Sequence, residues 1–323
     1  MKRMSLIEKQ QGNKMRKFKA ISLIIFLFIL SGTLNACHIE IQSEYSGDLE
    51  TIHEKTFSIQ PGKDLKVETS SGDVTITSWD KPQVYIKVLG NEKAREKVDF
   101  KFKNSDDEVS VTAKRHGGFF NWFTSGIKLR FEIKVPAEFN TNINTSGGDI
   151  KVGQVRGNNR LRTSGGDVWV KNTDGVLKIS TSGGEINLDS NSGELDVSTS
   201  GGDIKAREFK GNISASTSGG DIYLKGNDSK IYAETSGGNI RLDYTGENRG
   251  IDLETSGGDI QMKLPADFNA RASMHTSGGD IECDLTANNA KRISSTRFEA
   301  DLNNGGAELT AKTSGGDITV RKQ

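Results

Sequence analysis

The chain has 323 residues, 43 basic against 43 acidic side chains, 33% hydrophobic residues, 37 glycines and two cysteines. Balanced charge leaves no electrostatic footprint for nucleic acid, and two cysteines exclude a disulfide-framed scaffold. The four histidines (His38, His53, His116, His275) are scattered, and neither a Ser or Cys nucleophile motif nor a phosphate loop opening a helix is present, so no catalytic residue is assigned.

The N-terminus carries a basic stretch (Lys14, Arg16, Lys17, Lys19), then an apolar run from Ile21 to Leu30, too short for a comfortable membrane span. That order predicts a signal peptide over 1–36, with Met15 as a second possible start. Leu34-Asn35-Ala36-Cys37 resembles the bacterial lipobox, in which cleavage precedes a Cys that is then acylated. The resemblance implies a lipid anchor on Cys37 and an extracytoplasmic, membrane-attached protein. With Cys37 acylated, Cys283 has no disulfide partner; its strand position predicts a small buried hydrophobe.

Residues 37–50 lack a clear strand pattern and read as a tether. From 51 to 144, strand patterns run through Leu65 to Trp79, Gln83 to Gly90, Val98 to Lys114 and Ile127 to Phe139, without a strict period. Thr69-Ser70-Ser71-Gly72-Asp73 is a degenerate copy of a turn that recurs later, which predicts that this region caps the same sheets. Between two of the strands lies an aromatic cluster, Phe119, Phe120, Trp122 and Phe123. Exposed, it would be a membrane-interface or partner-binding loop; folded inward, it would plug the end of the core.

From 145 to 323 the chain repeats. Thr-Ser-Gly-Gly occurs nine times, at Thr145, Thr163, Thr181, Thr199, Thr217, Thr235, Thr255, Thr276 and Thr313, the first six evenly spaced. Each repeat reads as two turns and two short strands, with apolar or small residues alternating as in Ile222, Leu224, Ile231 and Ala233. Strand parity turns the Thr inward, predicting a ladder of stacked hydroxyls. The glycines are assigned to a corner needing positive φ. This predicts an all-β, single-stranded β-solenoid with about 18 residues per coil. No coil stands alone, because four or five modest side chains, each worth about 1.5–3 kcal/mol when buried, face an ordering cost of about 1–2 kcal/mol per residue. The step from Thr276 to Thr313 is close to two repeats, so stacking is expected to continue through it.

An acidic or amide residue follows every Thr-Ser-Gly-Gly. Like charges about 4.8 Å apart cost on the order of 1 kcal/mol per pair even in water, so something must compensate. Either each carboxylate accepts backbone N–H groups of its own turn, or Asp149, Asp167, Asp203, Asp221, Asp259 and Asp280 hold a row of Ca²⁺ ions as in nonapeptide β-rolls. Against calcium, only every second turn carries Asp and Asn239 interrupts the column; no other cofactor is indicated.

The lipobox, Val135-Pro136-Ala137, the reiterated Thr-Ser-Gly-Gly-Asp-Ile and the closing Leu302-Asn303-Asn304-Gly305-Gly306-Ala307-Glu308-Leu309 together resemble the bacterial "putative-adhesin" β-strand-repeat family of unknown function, over roughly residues 50–323. The resemblance implies a right-handed β-helix on a lipoprotein and carries over no site residues. Two functions follow as expectations. One is a lipid-anchored adhesin or envelope-binding module whose flat face meets a surface glycan or cell-wall polymer. The other is an accessory protein of envelope stress signalling or homeostasis that contacts a membrane protein. A polysaccharide-cleaving β-helix enzyme is the weaker third, since no Asp cluster with Lys or Arg breaks the repeat.

Overall fold

A computed structural model describes residues 49–116 and 126–323. The signal segment, Cys37, most of the tether and the cluster of Phe119, Phe120, Trp122 and Phe123 lie outside the described residues.

The described chain is all-β apart from one short helix. Its N-terminal part runs β1 (Glu50–Ser58), β2 (Asp64–Thr69), β3 (Asp73–Trp79), β4 (Gln83–Gly90), α1 (Glu92–Lys97), β5 (Val98–Asn104), β6 (Glu108–Arg115) and β7 (Leu129–Pro136). The repeats supply β8 (Asn140–Thr145), β9 (Ile150–Gly153), β10 (Arg156–Arg162), β11 (Val168–Lys171), β12 (Asp174–Ser180), β13 (Ile186–Asp189), β14 (Ser192–Ser198), β15 (Ile204–Thr217), β16 (Ile222–Asn227), β17 (Lys230–Thr235), β18 (Ile240–Thr245), β19 (Ile251–Thr255) and β20 (Ile260–Leu264). Then come β21 (Ala270–His275), β22 (Ile281–Cys283), β23 (Ala287–Ile293), β24 (Arg297–Leu302), β25 (Glu308–Lys312) and β26 (Ile318–Lys322). The helix is capped by the Asn91 side chain, which accepts from the Ala94 N–H; no strand or repeat pattern announced it.

Consecutive strands alternate between two sheets, one containing β9, β11 and β13, the other β10, β12 and β14. Within each sheet the strands pair in parallel and in register with the strand one repeat further on, as in Leu161 with Ile179 and Val168 with Ile186. One strand from each sheet makes a layer, and β15 runs through the corner and serves both sheets. The inward residues of both sheets form one continuous core, in which Ile150, Leu161, Val168, Ile186, Ile222 and Leu224 are buried as the period-two pattern requires. Cys283 is only half-buried, because β22 is the outermost strand of its sheet; burial still pushes its thiol up.

The layers do not stack in chain order at either end. The layer of β2 and β3 sits between that of β6 and β7 and that of β8 and β9. At the other end, the last strands, β25 and β26, insert between the layer of β19 and β20 and that of β21 and β22. Stacking thus passes through the long step from Thr276 to Thr313, but with the order exchanged. Antiparallel strands close the ends: β4 and β1 beyond β7, β5 beyond β6, β24 and β23 beyond β21. The N-terminal end is sealed further by His53 of β1, whose ring meets Phe100 and Phe102 edge-on at 4.8 and 5.4 Å.

The Thr-Ser-Gly-Gly corner works differently from the expectation of a positive-φ turn. Neither of its glycines adopts positive φ in any of the nine full copies. A Cβ on the second glycine would instead overlap the backbone of the neighbouring layer, as Gly184 would the carbonyl of Gly166, whereas a Cβ on Gly183 would meet nothing nearer than 3.9 Å. The second glycine is therefore required by close approach between layers and the first is not. Each Thr is buried, and its hydroxyl accepts from the N–H of its own second glycine while donating to a glycine carbonyl one layer away: Thr181 to Gly166 at 3.1 Å, Thr217 to Gly202 at 3.0 Å. The ladder is one of hydroxyl to carbonyl, not hydroxyl to hydroxyl.

Positive φ is concentrated at the opposite corner, at Gln154, Asn172, Ser190 and Glu208, each one repeat after the last. These side chains hold a left-handed conformation that costs an ordinary L-residue roughly 1–2 kcal/mol.

Candidate functional site

The acidic column accounts for its own charges across layers, not within its own turn. Asp149 Oδ1 accepts the Asp167 N–H at 3.0 Å, Asp203 the Asp221 N–H at 2.9 Å, Asp259 the Asp317 N–H at 2.9 Å and Asp317 the Asp280 N–H at 2.8 Å. Asp221 and Asn239 do the same, at 2.7 and 2.8 Å, so an amide replaces a carboxylate without breaking the column. Burial, then its acidic neighbours, push the Asp149 carboxyl up, against the backbone N–H it accepts. Among the described residues no group of three or more His, Cys, Asp or Glu side chains is arranged to hold a metal ion.

The distinctive surface is the outer face of the sheet carrying β9, β11 and β13. Strand register places Lys151, Trp169, Asn187, Lys205, Tyr223, Arg241 and Gln261 in a single file. A parallel file, nearer the second corner, runs Lys171, Asp189, Arg207, Lys225, Asp243, Lys263 and Arg321. Trp169 and Tyr223 stand three layers apart, about 14 Å at a strand spacing of about 4.8 Å. Lys151 lies over the Trp169 ring at 4.8 Å, and Arg207 and Arg241 approach the Tyr223 ring at 6.0 and 5.9 Å.

Tyr223 lines the smaller of two hollows on this face. The smaller, about 310 Å³, lies toward the acidic column and is lined by Asp221, Asn239, Arg241 and Gln261 among others. The larger, about 550 Å³, lies at the second corner among Ser190, Glu208, Lys210, Lys225, Asn227 and Asp243. It sits where the repeat is distorted. Phe209, fully buried, takes the corner position that Asn191 fills one layer earlier, and the register slips between Arg207 and Phe209. Gly226 must then be glycine, since a Cβ there would come within 2.5 Å of the Phe209 ring. In the following layer Tyr244 is buried, its hydroxyl accepting from the Ser229 N–H at 2.8 Å and lying 2.6 Å from the Glu247 carbonyl, which holds the longer corner.

Asp243 joins the hollow to the ring. Its Oδ2 accepts from the Tyr223 hydroxyl at 3.1 Å, and burial followed by this bond pushes the phenol up. Its Oδ1, like the Oδ1 of Asn227, is buried and lacks a hydrogen-bond partner among the described residues. Buried acceptors left unpaired are unusual and cost roughly 1–3 kcal/mol each.

The sequence-predicted residues divide accordingly. The column of Asp149, Asp167, Asp203, Asp221, Asp259 and Asp280 is brought together along one corner, with Asp280 reached through Asp317. Cys37 and the aromatic cluster lie outside the described residues. The hollow at the second corner was missed; its only sequence signals are a Phe at 209 and the step from Thr235 to Thr255, longer than the even steps before it.

The model of the Toastrack DUF4097 family matches residues 62–321. None of the curated proteins matches the chain. Among solved structures, the chain is similar to a "putative adhesin" from Bacteroides fragilis, 12% identical, covering 85% of this chain and 98% of that one at a TM-score of 0.45. It is also similar to a "putative lipid binding protein" from Parabacteroides distasonis, 15% identical, with 85% and 98% covered and a TM-score of 0.40.

Proposed function

Since this chain belongs to the Toastrack DUF4097 family, we propose that it is a non-enzymatic binding module of the cell envelope, a right-handed β-solenoid with one Thr-Ser-Gly-Gly repeat per coil, carried on a lipid-anchored Cys37. Its ligand is a periodic surface polymer lying along the stack on the outer face that bears Trp169 and Tyr223. The observation that carries this reading is the register itself. Parallel in-register pairing repeats the same outward position every layer, so an extended polymer meets an outward side chain at intervals of about 4.8 Å. Two rings about 14 Å apart, each with a cation close by, offer amphipathic surfaces at the ends of a span three layers long.

The lipid anchor is supported by the position of Leu34-Asn35-Ala36-Cys37 directly after the apolar run. Metabolic labelling with a radioactive fatty acid tests it: incorporation is expected in the wild type and absent in Cys37→Ala. The binding reading is tested by retention of the purified protein on immobilised envelope polysaccharides. Trp169→Ala with Tyr223→Ala is expected to weaken retention at least tenfold without changing the melting temperature, and unchanged retention would sink it.

A further inference from the structure

Eight lysines and arginines stand in the two outward files, against two aspartates. Several are locally neutralised: Lys205 pairs with Glu185 and Asp203, Lys171 with Asp189, and Arg321 with Glu282 and Asp284. Arg207, Lys225 and Lys263 have no carboxylate within ion-pair distance among the described residues. Arg207 and Lys225 are nevertheless direct register neighbours, as are Lys263 and Arg321. Like charges directly opposite on adjacent strands destabilise a sheet. Asp189 beside Arg207, and Asp243 between Lys225 and Lys263, offset this repulsion only in part, and Lys210 adds another positive charge at the rim of the hollow.

The hollow between these cations is also lined by the polar side chains of Ser190, Asn227 and Asp243. Cations in excess of the carboxylates beside them ask for an anion; polar side chains lining a hollow ask for hydroxyl groups. One polymer class supplies both along its length. We propose that the polymer bound by this face is an acidic polysaccharide. Its anionic groups meet Arg207, Lys225 and Lys263, a sugar ring lies against Tyr223, and its hydroxyls bond to the Asn227 and Asp243 side chains that line the hollow. This rests on the polymer-binding reading above and adds the chemistry of the polymer. The cationic file lies on the side of the sheet away from the acidic corner, so the polymer's charge is not placed against the Asp column.

The test measures binding of the purified full chain to alginate, polygalacturonate, dextran and inorganic polyphosphate by surface plasmon resonance. The two acidic polysaccharides are expected to bind at least tenfold more tightly than dextran. The double variant Lys225→Gln with Lys263→Gln should lose about tenfold of that affinity, with Asn227→Ala losing about fivefold. Dextran bound as tightly as alginate, with no effect of the double variant, would leave the polymer-binding face standing and overturn its acidic specificity. Polyphosphate bound as tightly as alginate, with Asn227→Ala silent, would reduce the site to a non-specific polyanion patch and overturn the carbohydrate assignment. Binding of none of the four would remove both readings. Both lysines are exposed, so the double variant should melt with the wild type, which separates loss of ligand from loss of fold.

Discussion

The hydroxyl of Thr313 donates to the carbonyl of Gly258 at 2.8 Å, across 55 positions of sequence, while Thr276, nearer in the chain, donates to Gly316. The last repeat is thus held between two earlier ones. A chain end added to a stack in sequence order would fray, having a neighbour on one side only, but β26 pairs with β20 on one side and β22 on the other.

Hydrogen exchange should therefore find the C-terminal strand as protected as the middle of the stack. The amide of Ile318, bonded to the Asp280 carbonyl at 2.9 Å, is expected to exchange about as slowly as that of Ile222, bonded to the Asn239 carbonyl at 2.9 Å. Exchange at Ile318 at the rate of a frayed terminus would contradict the inserted order.

The two corner glycines should respond in opposite ways to a single methyl group. Gly184→Ala drives a Cβ into the Gly166 carbonyl and is expected to destabilise by at least roughly 2–3 kcal/mol. Gly183→Ala adds only ordinary contact and narrows the unfolded ensemble, so stability should be unchanged or rise by about 0.4–1 kcal/mol. Denaturant unfolding of the pair decides it, and equal losses would mean that the corner is not set by close approach.

Asp149 offers a pH test. Its carboxyl lies above the ordinary value of 3.8 in the folded state, with burial the leading cause. Ionisation there opposes folding: the favourable contribution is complete below the ordinary value and is lost as pH rises through the raised one. Asp149→Asn keeps an Oδ1 for the Asp167 N–H and removes the charge, as Asn239 does within the same column. The variant should be more stable at pH 7, by less than about 1 kcal/mol since solvent screens the site. The advantage should shrink as pH falls through the raised value. A melting difference that stays constant between pH 7 and pH 3.5 would show that charge is not the cause.

At the second corner, Glu208 holds φ near 54°. Asn tolerates this left-handed conformation better than Glu, so Glu208→Asn should raise stability by up to about 1 kcal/mol, whereas Glu208→Val should lower it by a similar amount or more. Thermal melts of both variants check the ordering: both melting below the wild type would mean that the Ser190 bond to Glu208, at 3.1 Å, outweighs the backbone, and Val melting above Asn would contradict the backbone account.

Much of this was legible before any coordinates. The alternation in Ile222, Leu224, Ile231 and Ala233 fixes which side chains turn inward, since side-chain direction along a strand is a local consequence of the pleat. Thr-Ser-Gly-Gly marks the corners, and its period sets the register between neighbours. The same alternation points Tyr223 and Lys225 outward but does not show them as members of files, because a file is made of residues from different layers.

The rest depended on which layer meets which, and the repeat itself hides that. Every corner presents the same threonine hydroxyl, glycine carbonyl and acidic side chain, so Thr313 finds at Gly258 the same acceptor that Thr276 would find there, and local chemistry does not choose between them. At both ends the exchanged layers adjoin antiparallel segments outside the repeat, β4 and β5 at one end and β23 and β24 at the other. The hollow beside Asp243 likewise lies where Phe209 of one layer presses on Gly226 of the next. The strand pattern, the inward faces and the corners belonged to the sequence because they rest on interactions within a few residues. The order of the layers, the cationic file and the unpaired acceptors belonged to the tertiary structure because each is a relation between residues that only stacking brings together.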